Sequence, residues 1–340
     1  MNVFVTGGAG YIGSHTVRCL LDRGHSVVVY DDLSHGHQEA VDSRAEFRLG
    51  SLQDTKMIRH LLQRFQVDAV LHFAAFIEVG ESVRQPGLYY HNNVVGTLNL
   101  LRAMNDQKVR KIVFSSTAAV YGNPERTPIQ EMDPCFPINP YGRSKWMSEM
   151  IIHDFHRAYE FSAAILRYFN VAGAWPEGGM GEDHQPESHL IPRILKSALN
   201  TQEPVRIFGV DYPTPDGTCL RDYLHVVDLA QAHILALENL GPQQFDVFNV
   251  GSQSGFSVRE VVSVCEEVIG KRLSVIEEPR RPGDPAVLIA SQEKIRQVLN
   301  WNPRFPRLHD IVTHAWNWHR THPEGYRSRP RASSDHEHGL

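Results

Sequence analysis

A chain of 340 residues, 21% charged and 41% hydrophobic, has the composition of a folded protein of one large or two ordinary domains, and excludes a disordered or collagen-like one. Its 34 basic and 39 acidic side chains give a formal net charge of -5, so any anionic ligand must be met by local groups rather than by a basic footprint for nucleic acid or membrane. The apolar runs fall short of the roughly 20 residues of a membrane-spanning helix. No basic-then-apolar segment precedes the first strand, which sets the expectation of a cytoplasmic protein.

In chain order, residues 1–6 read as a short buried strand, 11–23 as a helix stopped at Gly24, and 26–30 as a valine-rich strand. The alternation continues with a helix over 54–65, a strand over 69–72, a helix over 86–104 and a strand over 111–115. Strands alternating with helices predict an α/β fold built on a doubly wound parallel sheet of Rossmann type. A loop carrying Pro124, Pro128, Pro134, Pro137 and Pro140 follows, its fixed φ angles incompatible with a regular helix, and a helix is predicted over 141–159.

From Asn170 the texture changes. WPEGGMGEDHQPESH and GVDYPTPDGTCLRDY are long, polar and turn-rich, as binding loops are. The expected organisation is a dinucleotide-binding domain over 1–169, with a segment near 225–250 (the strand over 246–250) returning to its sheet. A second, smaller α/β substrate domain is expected over 170–325 and a mobile tail over 326–340.

Cys19, Cys135, Cys219 and Cys265 are scattered without paired spacing and read as reduced packing residues. Nineteen histidines are dispersed with no HExxH helix, so no metal is expected.

VTGGAGYIGSH follows the first strand and opens the first helix, with Gly8, Gly10 and Gly13 fitting GxGxxG and Gly7, Gly10 and Gly13 fitting GxxGxxG. Glycines there allow a tight turn and close backbone approach, so a pyrophosphate can rest on the exposed N–H groups and positive end of the helix. A lone motif of this kind often marks a turn and nothing more. Here Asp31 closes the second strand, where an acid accepts hydrogen bonds from ribose hydroxyls and repels a 2′-phosphate, favouring NAD over NADP; Asp32 adds to that preference. The loop by itself also suits FAD or a nucleotide sugar.

Of eleven tyrosines, only Tyr141 is followed by a lysine four residues on, Lys145, which places both on one helix face. Helical i, i+4 packing is the ordinary explanation of such a pair. Behind a strand ending in Phe114, Ser115, Ser116 and Thr117, in a chain with a dinucleotide loop, the pair suits alcohol oxidation. A nearby ammonium and a positive nicotinamide ring would favour the Tyr141 phenolate, which accepts the alcohol proton, with Thr117 or Ser116 orienting the oxygen.

TGGAGYIGSHT, HFAAFIEVGESV, YYHNNVVGTLNLL, FSSTAAVYG, NPYGRSK, LRYFNVAGA and RDYLHVVDLA resemble the extended short-chain dehydrogenase/reductase family, and its nucleotide-sugar epimerase branch in particular. The resemblance runs from Met1 to about Tyr326. It implies interconversion of UDP-galactose and UDP-glucose: the 4-OH is oxidised, the 4-keto sugar turns over, and hydride returns to its other face, with NAD regenerated and retained. It implies Tyr141 as catalytic base, Lys145 as its pKa-lowering and ribose-binding partner and Thr117 as the assisting hydroxyl.

By the same resemblance NAD would be held by Gly7, Gly10, Tyr11, Ile12, Gly13, Asp31, Asp32, Leu33, Ser51, Leu52, Phe73, Ala74, Ala75, Asn92, Ser115, Tyr141, Lys145 and Phe169. The UDP-sugar would be held by Thr117, Tyr141, Asn170, His189, Leu190, Phe208, Arg221, Tyr223, Arg281, Asp284 and Leu288, with the two arginines facing the diphosphate as bidentate donors. A homodimer is implied as well.

Three positions depart from the family pattern: Ser51 where many relatives carry aspartate, His189 where asparagine is familiar, and Leu288 at the position that sets the width of the sugar pocket. They bear on which sugar is taken, whether hexose, N-acetylhexosamine or pentose. A nucleotide-sugar 4,6-dehydratase would need an acid and a base to eliminate water, and Thr117 is followed by Ala118 and Ala119, which transfer no protons. No group stands out to recognise a sugar carboxylate for a decarboxylase. A non-catalytic NAD-binding protein would have no use for an intact Tyr141, Lys145 and Thr117.

Overall fold

A computed structural model describes residues 1–199, 204–281 and 284–328. The first strand, β1 (Asn2–Thr6), leads through α1 (Tyr11–Asp22) to β2 (Ser26–Asp31) and β3 (Glu46–Leu49). Then come α2 (Thr55–Arg64), β4 (Ala69–His72), α3 (Val79–Arg84), α4 (Pro86–Tyr89), α5 (Gly96–Asp106), β5 (Lys111–Ser115), α6 (Pro140–Tyr159) and β6 (Ser162–Tyr168). The remaining elements are β7 (Asn170–Ala172), α7 (Leu190–Leu199), β8 (Val205–Phe208), β9 (Leu220–Arg221), β10 (Tyr223–His225), α8 (Val226–Asn239), β11 (Phe245–Val250), β12 (Phe256–Ser257), α9 (Val258–Ile269), β13 (Val275–Glu278), β14 (Val287–Leu288), α10 (Glu293–Leu299) and α11 (Leu308–Thr321).

Seven parallel strands form the main sheet in the order β11-β6-β5-β4-β1-β2-β3. The doubly wound expectation is met, and β11 is the returning strand. Alternate residues feed two cores, as strand periodicity requires. Val3, Val5, Val29 and Leu71 pack under α1 and α8, while Phe4, Val28, Val70 and Ile112 pack under α2, α5 and α6. A third core joins α7, α9 and α11 through Ile191, Ile194, Leu195, Val261, Cys265, Ile311 and Val312. The chain reverses its direction of winding between β1 and β4, and a ligand crevice forms outside the strand ends at such a point.

Three elements differ from the sequence expectation. The edge strand β3 went unread because its EFRL is half exposed and carries two charges. The helix expected over 86–104 is broken by a π-helical stretch, Tyr90–Val95, in which Asn93 is buried and donates to Phe76 O at 3.0 Å and Ser144 Oγ at 2.9 Å. The tail does not begin at 326: Tyr326 is buried beside Trp318 (ring centroids 4.8 Å apart) and donates to Gly181 O at 3.1 Å. The rest of the expected tail, 329–340, lies outside the described residues. No helix among the described residues is long and apolar enough to cross a membrane.

Burial holds several histidines neutral, lowering His15, His233 and His319 to about 4 and His72 to about 3. Between these values and the unfolded value of about 6.5 the unfolded chain binds more protons than the folded one, so stability falls as pH falls through that window. His189, raised to about 9, and His184, also raised, act in the opposite sense, against the four lowered groups and His225, which burial lowers further still. The urea midpoint is expected to be clearly lower at pH 5 than at pH 7.5; an equal or higher midpoint at pH 5 would contradict this.

Candidate active site

A cleft of 450 Å³ opens at the strand ends where the winding reverses. Its floor is the glycine loop. Gly7 has φ +71°, and a Cβ on it would lie 2.4 Å from Ala74 N; a Cβ on Gly13 would lie 2.1 Å from Gly7 O. Only glycine permits this closeness. Gly10 caps α1 without any side-chain hydrogen bond, so the first N–H groups of the helix lack an intrahelical acceptor and their positive end meets the cleft. At the end of β2, Asp31 accepts from Ala9 N and Leu33 N, each at 2.9 Å. Burial raises its pKa, with those two N–H groups pulling against it.

These features fit a dinucleotide: a cradle that a Cβ would fill, an unsatisfied helix end, and an acid at the end of the neighbouring strand. Gly13→Ala is therefore expected to weaken NAD binding at least about tenfold, read as NAD released from the denatured protein and by titration; unchanged NAD content would contradict the assignment of this loop.

The opposite wall is α6. Asn139 Oδ1 accepts from Gly142 N at 2.8 Å and Pro140 starts the helix, which is why it begins where it does. Tyr141, Lys145 and Glu149 then follow at four-residue intervals on one buried face. Tyr141 and Thr117 line the cleft. Lys145 stands behind the wall, with Nζ donating to Ser115 O at 2.8 Å and lying 4.7 Å over the Phe114 ring.

The electrostatics show what burial does to the Tyr141 and Lys145 pair. Burial pushes the Tyr141 phenol well above its ordinary value, Tyr168 adds to the rise and Thr117 opposes it. Burial also lowers Lys145 to about 7, with Glu149 opposing, so burial works against the ammonium that favours a phenolate. A Tyr141 phenolate needs further positive charge inside the cleft.

Behind Lys145, Glu149 and Arg167 form a buried pair, with Arg167 Nη2 donating at 2.6 Å. Glu149 also accepts a short hydrogen bond from Ser116, the neighbour of Thr117.

The cleft wall includes Gly7, Gly10, Tyr11, Ile12, Gly13, Asp31, Asp32, Leu52, Phe73, Ala74, Ala75, Asn92, Phe169, Asn170, His189, Leu190, Arg221, Tyr223 and Leu288. Leu33, Ser51 and Ser115 stand off it. Leu33 acts through the N–H that holds Asp31, Ser51 O accepts from Tyr30 Oη at 2.9 Å, and Ser115 O holds Lys145. Arg281 and Asp284 line a neighbouring cavity of 700 Å³. Arg221 links the two cavities by donating to Asp284 Oδ1 at 2.5 Å, and the Arg281 guanidinium carbon sits 4.0 Å over the Phe208 ring.

Phe76, Ile77, Glu78, His35, Glu182 and His184 also line the cleft and were not singled out from sequence. The first three stand in HFAAFIEVGESV, directly after β4, where position alone was a usable signal. Glu182 and His184 come from a long loop whose course no local pattern gives. The histidines are not all isolated, since His184 and His189 meet Glu182 and Glu187. Burial disfavours charge on these two imidazoles, and Glu182 overrides it, raising both.

A doubly wound parallel sheet with a glycine cradle, a strand-end acid and a buried Tyr-x3-Lys pair defines a dinucleotide-binding α/β enzyme. Residues 3–251 match the model of the NAD dependent epimerase/dehydratase family, and the chain belongs to that family. Among its relatives is a UDP-glucose 4-epimerase from Halalkalibacterium halodurans, 53% identical over 96% of this chain and 98% of the relative. A UDP-glucose 4-epimerase from Brucella ovis, solved in complex with NAD, superposes with a TM-score of 0.90 at 43% identity over 93% of this chain and 97% of that one. Another from Bifidobacterium longum, solved with NAD+ and UDP, gives 0.92 at 37% identity over 96% and 100%.

Proposed function

We propose that this chain is an NAD-dependent epimerase that interconverts UDP-galactose and UDP-glucose. The observation that carries the reading is the meeting of Thr117 and Tyr141 with the glycine cradle and Asp31 in one cleft, with Ala118 and Ala119 following Thr117 where elimination would need acid and base. The 1–169 half, with the returning 225–250 segment, holds NAD and the 170–325 half holds the UDP-sugar. NAD bound there would take hydride from the sugar's C4 and return it to the opposite face.

The chain's own residues do the rest. Tyr141 accepts the 4-OH proton and gives it back, and Thr117 holds the same oxygen. Lys145, fixed by Ser115 O, lies on the Tyr141 face and contributes positive charge in its protonated form. Arg221 and Arg281 offer planar donors to the diphosphate at the junction of the two cavities, and Leu288 lines the cleft at the position that sets the width of the sugar pocket. A cytoplasmic homodimer completes the reading.

Supplied with UDP-galactose carrying deuterium at C4, the protein is expected to yield UDP-glucose that keeps the label at C4. Loss of the label to solvent would overturn the hydride-return mechanism, and loss of water from the sugar would favour a 4,6-dehydratase.

A further inference from the structure

The loop between β7 and α7 carries Glu182, His184, Glu187 and His189, and one ligand atom from each lies within 4.8 Å of the others. Glu182 is buried at the bottom, its backbone carbonyl accepting from Trp318 Nε1 at 3.1 Å. His189 Nδ1 lies 2.6 Å and His184 Nδ1 3.1 Å from Glu182 Oε1, and His189 Nδ1 lies 3.6 Å from Glu187 Oε1. Bonds of about 2.0–2.1 Å to a tetrahedral zinc place neighbouring ligand atoms about 3.3 Å apart. The three distances bracket that value, and all four ligand atoms lie within 4.8 Å of one another.

Two further observations point to a missing ligand. Glu187 has a side chain 7% exposed, yet its Oε2 makes no hydrogen bond, and the Lys196 ammonium stands 3.6 Å away. His184 Nδ1 is buried and close to Glu182 but without hydrogen-bond alignment. Buried polar atoms are normally hydrogen-bonded, and here His184 Nδ1 and Glu187 Oε2 are held only by ion-pair contacts, to Glu182 and Lys196, which leaves room for a ligand in the cluster. Among the described residues this is the only such grouping of histidine, cysteine and carboxylate side chains.

We propose that Glu182, His184, Glu187 and His189 form a binding site for a divalent first-row transition-metal ion. Two imidazoles and two carboxylates select zinc-like, borderline ions over calcium or magnesium, and the two carboxylates neutralise the ion's charge. Anchored through Trp318 and through Ser188 Oγ, which donates to Glu78 at 3.0 Å, the ion would pin the 182–189 loop to the head of α7 and shape the cleft wall.

Full-length protein, stripped with a chelator and dialysed, is titrated with Zn2+ by calorimetry and with Co2+ by absorption and proton NMR. The expected result is one equivalent bound above the background of the other histidines, with strongly shifted ring protons from two of them. Glu187→Gln and His184→Ala should each weaken binding at least about tenfold. No saturable site on the wild-type chain, no shifted histidines, or folded variants that bind as tightly as wild type would each overturn the proposal. If the variants fail to fold, the wild-type Co2+ spectrum decides it.

Discussion

Tyr141→Phe is expected to leave NAD bound and to lower turnover of UDP-galactose by about 10²–10⁴-fold, the range general acid–base groups contribute. The side chain keeps its ring, so the wall of the cleft and the packing of α6 are retained. What disappears is the oxygen that takes the 4-OH proton. Because burial drives this phenol upward, its reactivity depends on positive charge brought to it. The wild-type rate should therefore rise with pH as Tyr141 ionises, and the residual rate of the phenylalanine variant should lose that dependence. Turnover within a few-fold of wild type would remove Tyr141 as the base.

The second large effect is on stability. Burial works against the Arg167 charge, and hydrogen bonding to Glu149 overrides it, holding the guanidinium protonated. Arg167 also donates to Tyr121 Oη at 2.9 Å, and Tyr121 Oη donates to Asn249 Oδ1 at 2.7 Å, so the pair ties β6 to α6 and to the end of β11. Glu149→Leu leaves an uncompensated buried cation and should destabilise the fold by about 3–5 kcal/mol in urea unfolding. Adding Arg167→Met to it should recover most of that loss, because an apolar pair needs no desolvated charge. A single variant within about 1 kcal/mol of wild type, or a double variant worse than the single, would show that the pair does not govern the packing here. The single variant also frees Ser116 from Glu149, so Thr117 should lose position and turnover should fall beyond the loss of folded protein.

The parts of the site legible in sequence were those written in consecutive residues. The glycine loop is written in one short motif, where Gly13 is dictated by its clearance from Gly7 O and Gly7 by its positive φ, while Asp31 stands at the end of one strand and Tyr141 and Lys145 are one helical repeat apart. The parts that stayed hidden depend on several elements meeting. The Glu182 cluster needs Trp318, from far along the chain, to bury it. The separate cavity at Arg281 and Asp284 is set by how the 123–127 loop and Tyr212 come to face that segment, which no periodicity records. The charge state of Lys145 follows from burial between Ser115, Phe114 and Glu149, and sequence shows the lysine but not its solvent. The edge strand β3 and the π-helical stretch at Tyr90–Val95 escaped for a related reason, since exposure and tertiary hydrogen bonds overrode the local pattern.

The central claim is that one cleft oxidises and re-reduces the same sugar carbon with a cofactor that stays with the protein. Purified protein incubated with UDP-galactose and no added NAD, followed through the anomeric proton signals by NMR, tests it most directly. Approach to a stable mixture of UDP-galactose and UDP-glucose is the predicted result. A spectrum unchanged even after NAD is supplied would contradict the account.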